Sequence, residues 1–227
     1  MSPETFEVVI GPGSRVTGRY YPAQGKGRVL VVLAHGAGAG QDHPFMVSCA
    51  RGLAARGLAA VTFNFPYMER RAKVPNPAPQ LEGCYRQVIA TVRDRGWLED
   101  RALVIGGKSM GGRMASHLGA APGDLVAPIA GLVFLGYPLH PPGKPTQQRS
   151  AHLPSISAPM LFVQGERDAF GSPAELEPIL AALPAPVTVV PIARGDHSLK
   201  VSGQSREAQA AQFDAILDRI TAWIQAL

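Results

Sequence analysis

Short apolar runs recur along this chain at helix-length intervals, and they limit its possible folds more than any other feature. Residues 28–34 (RVLVVLA), 58–64 (LAAVTFN), 130–136 (AGLVFLG) and 159–165 (PMLFVQG) are continuous and rich in branched side chains, as is the run opening at Ala102. A strand with one wet face alternates polar and apolar residues, whereas an unbroken run suits a strand covered on both faces. Residues 186–192 read as a last strand.

The intervening segments read as helices. One starts near residues 42–44, with Asp42 or His43 as cap and Pro44 in the first turn. It carries the stripe Phe45, Cys49, Leu53 and stops at Gly57. A second spans residues 80–95, with Leu81, Tyr85, Val88 and Val92 on one face and Gly96 past its end. Ser172-Pro173-Ala174-Glu175 combines a capping box with proline at the first helical position. The final helix, residues 206–227, presents Phe213, Ile216, Leu217, Ile220, Trp223, Ile224 and Leu227 at helical spacing, with Trp223 assigned to the core. Residues 6–10 and 15–21 read as an antiparallel hairpin around Gly11-Pro12-Gly13. Residues 65–79 are expected as a proline-rich loop and residues 137–153 as an irregular surface loop. This alternation implies an α/β fold: a mostly parallel sheet with helices on both faces, and function at the carboxyl ends of the strands. No repeat, low-complexity tract or linker interrupts the 227 residues, so residues 1–227 are expected to form a single domain.

The run from Ala102 ends in Gly107-Lys108-Ser109-Met110-Gly111, a G-x-S-x-G pattern, and an amphipathic segment, residues 110–118, follows at once. Strand, sharp turn and helix are the context of a nucleophile elbow. There the serine adopts a strained backbone, and the flanking glycines lack the Cβ atoms that would collide as strand and helix pass. The hydroxyl stands at a helix N-terminus, where free N–H groups favour negative charge. A phosphate-binding P-loop would need glycine where Ala102 stands. A glycine-rich turn with an incidental serine remains an alternative on the pentapeptide alone.

Other strand ends decide. His35 opens a glycine loop, residues 35–40, and Asp168 and His197 follow later strands, giving the order Ser109, Asp168, His197. Serine is a poor nucleophile until an imidazole takes its proton, and a carboxylate must fix and stabilise that imidazole. Among the histidines, His43 starts a helix, His117 lies along the elbow helix, and His140 and His152 fall in the long loop; His197 is the candidate base. Among the acids, Glu166 is close to its strand end, Asp196 adjoins the histidine, and Asp124 follows the elbow helix; Asp168 is the candidate acid. The glycine loop suits an oxyanion hole built from the amides of Ala37 and Met110, with Gly38 as the alternative to Ala37.

Lysine and arginine total 22 against 17 acidic residues, and this net +5 is spread too thinly for a nucleic-acid binder. No signal peptide is visible and no apolar run approaches a membrane span, so no membrane partner is expected. Cys49 and Cys84 lack metal spacing, which points to a reduced, cytoplasmic compartment; chemistry by serine, histidine and aspartate implies no metal or organic cofactor.

Taken together, the HGAGAG, DHPFM, FNFPYME, GGKSMGGR, GYPLHPPGKP, VQGERDAFG and GDHSLK segments resemble the α/β-hydrolase superfamily over nearly the whole chain. They resemble in particular its small, lidless, dienelactone-hydrolase-like branch, which includes testis-expressed and NSL-complex subunit relatives. The resemblance implies the α/β-hydrolase fold without a lid domain and a Ser109–Asp168–His197 triad. It also implies hydrolysis of a small ester or thioester through an acyl-enzyme. Dienelactone hydrolases usually carry cysteine where Ser109 stands, which argues against that substrate. The alternative is a non-catalytic interaction module on the same fold. Gly36, Gly38, Lys108, Tyr67, Tyr137 and Phe170 are candidates for contacting substrate, and Phe65, Tyr67, Tyr137 and Phe170 either line the acyl pocket or pack the loops. Lys108, with Arg70 and Arg71 nearby, either attracts an anionic acyl group or adds surface charge. The expected partner is a small acyl substrate, and the oligomeric state is left open.

Overall fold

Each unbroken apolar run forms a strand of one sheet in the computed structural model, which describes residues 2–25, 27–123 and 125–227. Asp124 lies outside the described residues. Strands β1 (Glu4–Gly11), β2 (Ser14–Tyr21), β3 (Val29–Ala34), β4 (Ala59–Phe63), β5 (Ala102–Lys108), β6 (Ile129–Leu135), β7 (Met160–Gly165) and β8 (Val187–Ile192) lie in the order β1-β2-β4-β3-β5-β6-β7-β8. From β4 to β8 all pairs are parallel; the β1–β2 hairpin adds antiparallel strands at one edge. The chain steps from β3 outward to β4 and then crosses back to β5 on the other side. At such a switch point the loops leaving neighbouring strands diverge and open a crevice beyond their carboxyl ends. The loops in question are residues 35–40 and the turn at Ser109.

Helices α1 (Pro44–Ala55), α2 (Pro66–Glu69), α3 (Ala78–Asp94), α4 (Met110–Ala120), α5 (Pro173–Leu180) and α6 (Arg206–Gln225) cover the sheet. The period of two along a strand divides the core. Leu30, Val32 and Ala34 face α3, α4 and α5, while Val31 and Leu33 face α1 and α6. Each such valine or leucine withdrawn from water contributes roughly 1.5–3 kcal/mol. The expected caps form: His43 Nδ1 accepts from Phe45 N at 3.2 Å, and Ser172 and Glu175 make a reciprocal capping box. Arg56, at the end of α1, grips Asp214 and Asp218 of α6 at 2.8 and 2.7 Å.

The structure corrects three expectations. The proline-rich loop contains α2, nucleated by Pro66 at its first turn. The segment after β6 is not all surface, because residues 137–140 are buried and Leu153–Ser155 forms a turn of 3-10 helix. Leu227 lies past the end of α6 and is 49% exposed, and Trp223 is only half-buried, its indole N–H donating to Thr188 Oγ1. Among the described residues, the segment between β6 and β7 builds no helical lid.

Candidate active site

Ser109 stands between β5 and α4 with φ 51° and ψ −116°, a conformation that costs a non-glycine residue about 1–3 kcal/mol. Its neighbours explain the glycines. A Cβ on Gly107 would run into the Ala34 carbonyl and come within 2.8 Å of the Gly111 carbonyl carbon. One on Gly111 would strike the same Ala34 carbonyl and approach His35 O to 2.7 Å. The end of β3 therefore touches both sides of the turn. Ser109 N donates to Leu135 O of β6 at 3.1 Å, which ties the turn to the opposite neighbour. Met110 is the first residue of α4, so its N–H has no helical acceptor and lies at the positive end of the helix.

Asp168 and His197 come from the loops after β7 and β8. His197 Nε2 is 2.8 Å from Ser109 Oγ, and His197 Nδ1 is 2.8 Å from Asp168 Oδ2. Asp168 is buried at 4% exposure, and its oxygens also accept from Phe170 N at 2.8 Å and Gln164 Nε2 at 2.9 Å. An ionised carboxylate only accepts hydrogen bonds, so the imidazole proton belongs on Nδ1 and the lone pair on Nε2 faces the serine hydroxyl. The Phe170 ring lies 4.2 Å from that of His197, centroid to centroid, and walls the imidazole on one side.

A cavity of about 890 Å³ opens over this group. Gly36, Ala37, Lys108, Met110 and Phe170 border it together with Ser109 and His197. Gly38 does not border it, and neither do Tyr67 and Tyr137, which are fully buried. These two tyrosines are corrections. The Tyr67 hydroxyl donates to Gly36 O at 3.4 Å, and that of Tyr137 donates to Arg149 O at 2.8 Å, so both brace loops instead of lining the cavity. Phe65 is buried as well. Arg70 and Arg71 are exposed and away from the cavity. Lys108 borders it, but its amine donates to His197 O at 2.5 Å. Burial lowers the Lys108 pKa to about 8 against the opposing pull of Asp168 and Asp196.

The remaining candidates have other partners. His35 is buried between Gly36 O, 2.8 Å from Nδ1, and Phe65 N, which donates to Nε2 at 3.0 Å; burial lowers its pKa to about 4. His117 meets Glu82, and His140 meets Glu175. Glu166 accepts from Arg194 N, and Asp196 accepts from Ser198 N and Lys200 N, which shapes the turn carrying His197. Among the described residues, no group of three His, Cys, Asp or Glu is gathered to hold a metal ion.

Sequence reasoning missed Gln164. It is buried at the end of β7, where Nε2 lies among Asp168 Oδ2, Tyr137 O and Gly171 O, and Oε1 accepts from Tyr137 N at 2.7 Å. A lone polar residue ending the run PMLFVQG was the available signal.

The chain belongs to the α/β-hydrolase domain family: residues 27–225 match the family's model. Solved structures agree in fold. A dienelactone hydrolase from Anabaena variabilis is 20% identical, with 100% of this chain and 99% of that one covered at a TM-score of 0.75. A serine hydrolase without a lid from Xanthomonas campestris is 17% identical, with 98% and 95% covered at 0.73. An alpha-beta serine hydrolase homologue from Coxiella burnetii is also 17% identical, with 96% and 97% covered at 0.75. Among the described residues, no helix is long and apolar enough to cross a membrane.

Proposed function

We propose that this chain is a serine hydrolase of the carboxylesterase or thioesterase type, acting through an acyl-enzyme on Ser109. The observation that carries this reading is the unbroken relay from Asp168 through His197 to a strained Ser109 that opens onto a cavity. Ser109 Oγ attacks the carbonyl carbon as His197 Nε2 takes its proton. Asp168 holds the imidazolium, and His197 then returns the proton to the leaving group. Water, activated by the same imidazole, releases the acyl group.

The amides of Met110 and Ala37 would hold the oxyanion. The Gly36 carbonyl turns toward buried His35 and Tyr67, and a trans peptide directs its N–H opposite to its C=O. The Ala37 N–H therefore points away from those two side chains, and Ala37 borders the cavity while Gly38 does not, which favours Ala37 over Gly38. One such donor contributes about 2.7–4 kcal/mol to the transition state. Cys49 and Cys84 are free and buried, which fits a reducing, cytoplasmic setting.

Labelling with an uncharged fluorophosphonate, read by intact mass, tests the proposal. One adduct on wild type and none on Ser109→Ala is expected. A folded wild type that takes no adduct overturns the enzyme reading in favour of an interaction module.

A further inference from the structure

The cavity over Ser109 carries a charge pattern that acyl transfer itself does not need. Arg113 lies one turn along α4, its amide donating to Ser109 O at 3.0 Å, and Arg149 comes from the segment after β6. Both residues border the cavity, and no Asp or Glu does among the described residues. Among the described residues neither arginine has a carboxylate partner, and the buried Arg113 Nε has no acceptor.

Their placement is built. Ser116 Oγ donates to Arg113 O at 2.7 Å and lies 3.5 Å from the Tyr137 hydroxyl, which donates to Arg149 O. Arg149 N donates in turn to Leu139 O at 2.7 Å. Ser116 and buried Tyr137 thus hold the two arginine-bearing segments by their carbonyls, one each, leaving the guanidinium groups for a ligand. Burial, with the charge of Arg113 added, lowers the Arg149 pKa, and an anion beside both guanidinium groups would offset that cost.

We propose that Arg113 and Arg149 form an anion subsite, so that the substrate is an acidic ester or thioester whose carboxylate they hold while its carbonyl rests at Ser109. This rests on Ser109 being the nucleophile. A guanidinium fork matches the edge of a carboxylate and stays charged at any working pH. Phe45, Met46 and Phe213 border the same cavity and offer apolar surface for the carbon chain.

Phenyl hydrogen adipate and methyl phenyl adipate share acyl chain and leaving group and differ only in the methyl that caps the carboxylate. Wild type is expected to favour the acid in kcat/KM by about tenfold or more, the scale of one hydrogen bond to a charged group. That ratio should fall toward unity in Arg113→Gln and in Arg149→Gln, and should shrink as potassium chloride is added. A second pair, 4-acetoxybenzoate and its methyl ester, moves the carboxylate to the leaving group. A preference confined to this pair assigns the subsite to the leaving-group side. Turnover without preference on either pair, or a preference that survives both arginine substitutions, overturns the subsite while the hydrolase reading stands. No turnover and no fluorophosphonate adduct overturns the hydrolase reading, and the subsite with it. Should an adduct form without turnover, adipate must slow labelling of wild type and not of Arg149→Gln; no protection overturns the subsite.

Discussion

Two serine–histidine pairs stand seven positions apart in the chain, one at the start of α4 and one well inside it. Ser109 Oγ is 2.8 Å from His197 Nε2, and Ser116 Oγ is 2.7 Å from His152 Nε2. By distance they are equivalent. Ser116, however, is buried in regular helix and gives its proton to the carbonyl of Arg113. His152 has no carboxylate behind it among the described residues. It packs edge-on against His117 at 4.4 Å, and burial, aided by the charges of His117 and Arg113, lowers its pKa to about 4. Such an imidazole resists protonation and makes a poor base. Ser109 has Asp168 behind its histidine, a cavity in front and a helix N-terminus beside it. A serine–histidine contact alone does not make a nucleophile; the surroundings do.

Substitutions can break that contrast. The largest effect is expected for Ser109→Ala, which should lower kcat by about 10⁶-fold, to the residual rate left by binding alone. Loss of the same size in Ser116→Ala would erase the distinction between the pairs. Asp168→Asn comes next, with kcat reduced by about 10⁴-fold while the fold is kept, because the amide favours the wrong tautomer of His197. A kcat within tenfold of wild type would remove Asp168 from the relay. For Ser116→Ala itself, fluorophosphonate labelling should persist, and chemical denaturation should show a loss of about 1 kcal/mol, one buried hydrogen bond.

The remaining effect concerns acid. His152 has its pKa lowered to about 4 from the ordinary 6.5. The unfolded chain therefore binds that proton first as pH falls, and stability drops between pH 6.5 and 4. Buried His35, also held at about 4, adds to the same window. His152→Gln should flatten the dependence without abolishing it, as read from denaturation midpoints at pH 4.5 and 7. Identical slopes in the two proteins would show that His152 titrates normally.

How far the chain could be read in advance followed its physics. Unbroken branched runs became strands, and Ser172-Pro173 and His43-Pro44 started helices, because those signals are local. Ser109, Asp168 and His197 were legible as residues at the ends of different strands, and parallel order brings such ends together. Tyr67 and Tyr137 were not: an aromatic residue on a loop can line or brace, and only the partner of its hydroxyl decides. Arg113 and Arg149 were missed for a related reason. A sequence displays charges but not whether a counterion stands beside them, and among the described residues neither arginine has one. The Arg56 grip on Asp214 and Asp218 would have looked no different in a string of letters.

Helix α6 links the two ends of the molecule. Near its start Gln209, Gln212 and Phe213 border the cavity, and beyond its last turn Leu227 reaches Gly131, near the amino end of β6. Twenty residues of helix span about 30 Å. A dye attached at Leu227 would therefore leave from the end of the strands opposite Ser109. Chains captured on a surface through that point would present their cavities outward to the solution, all in one orientation.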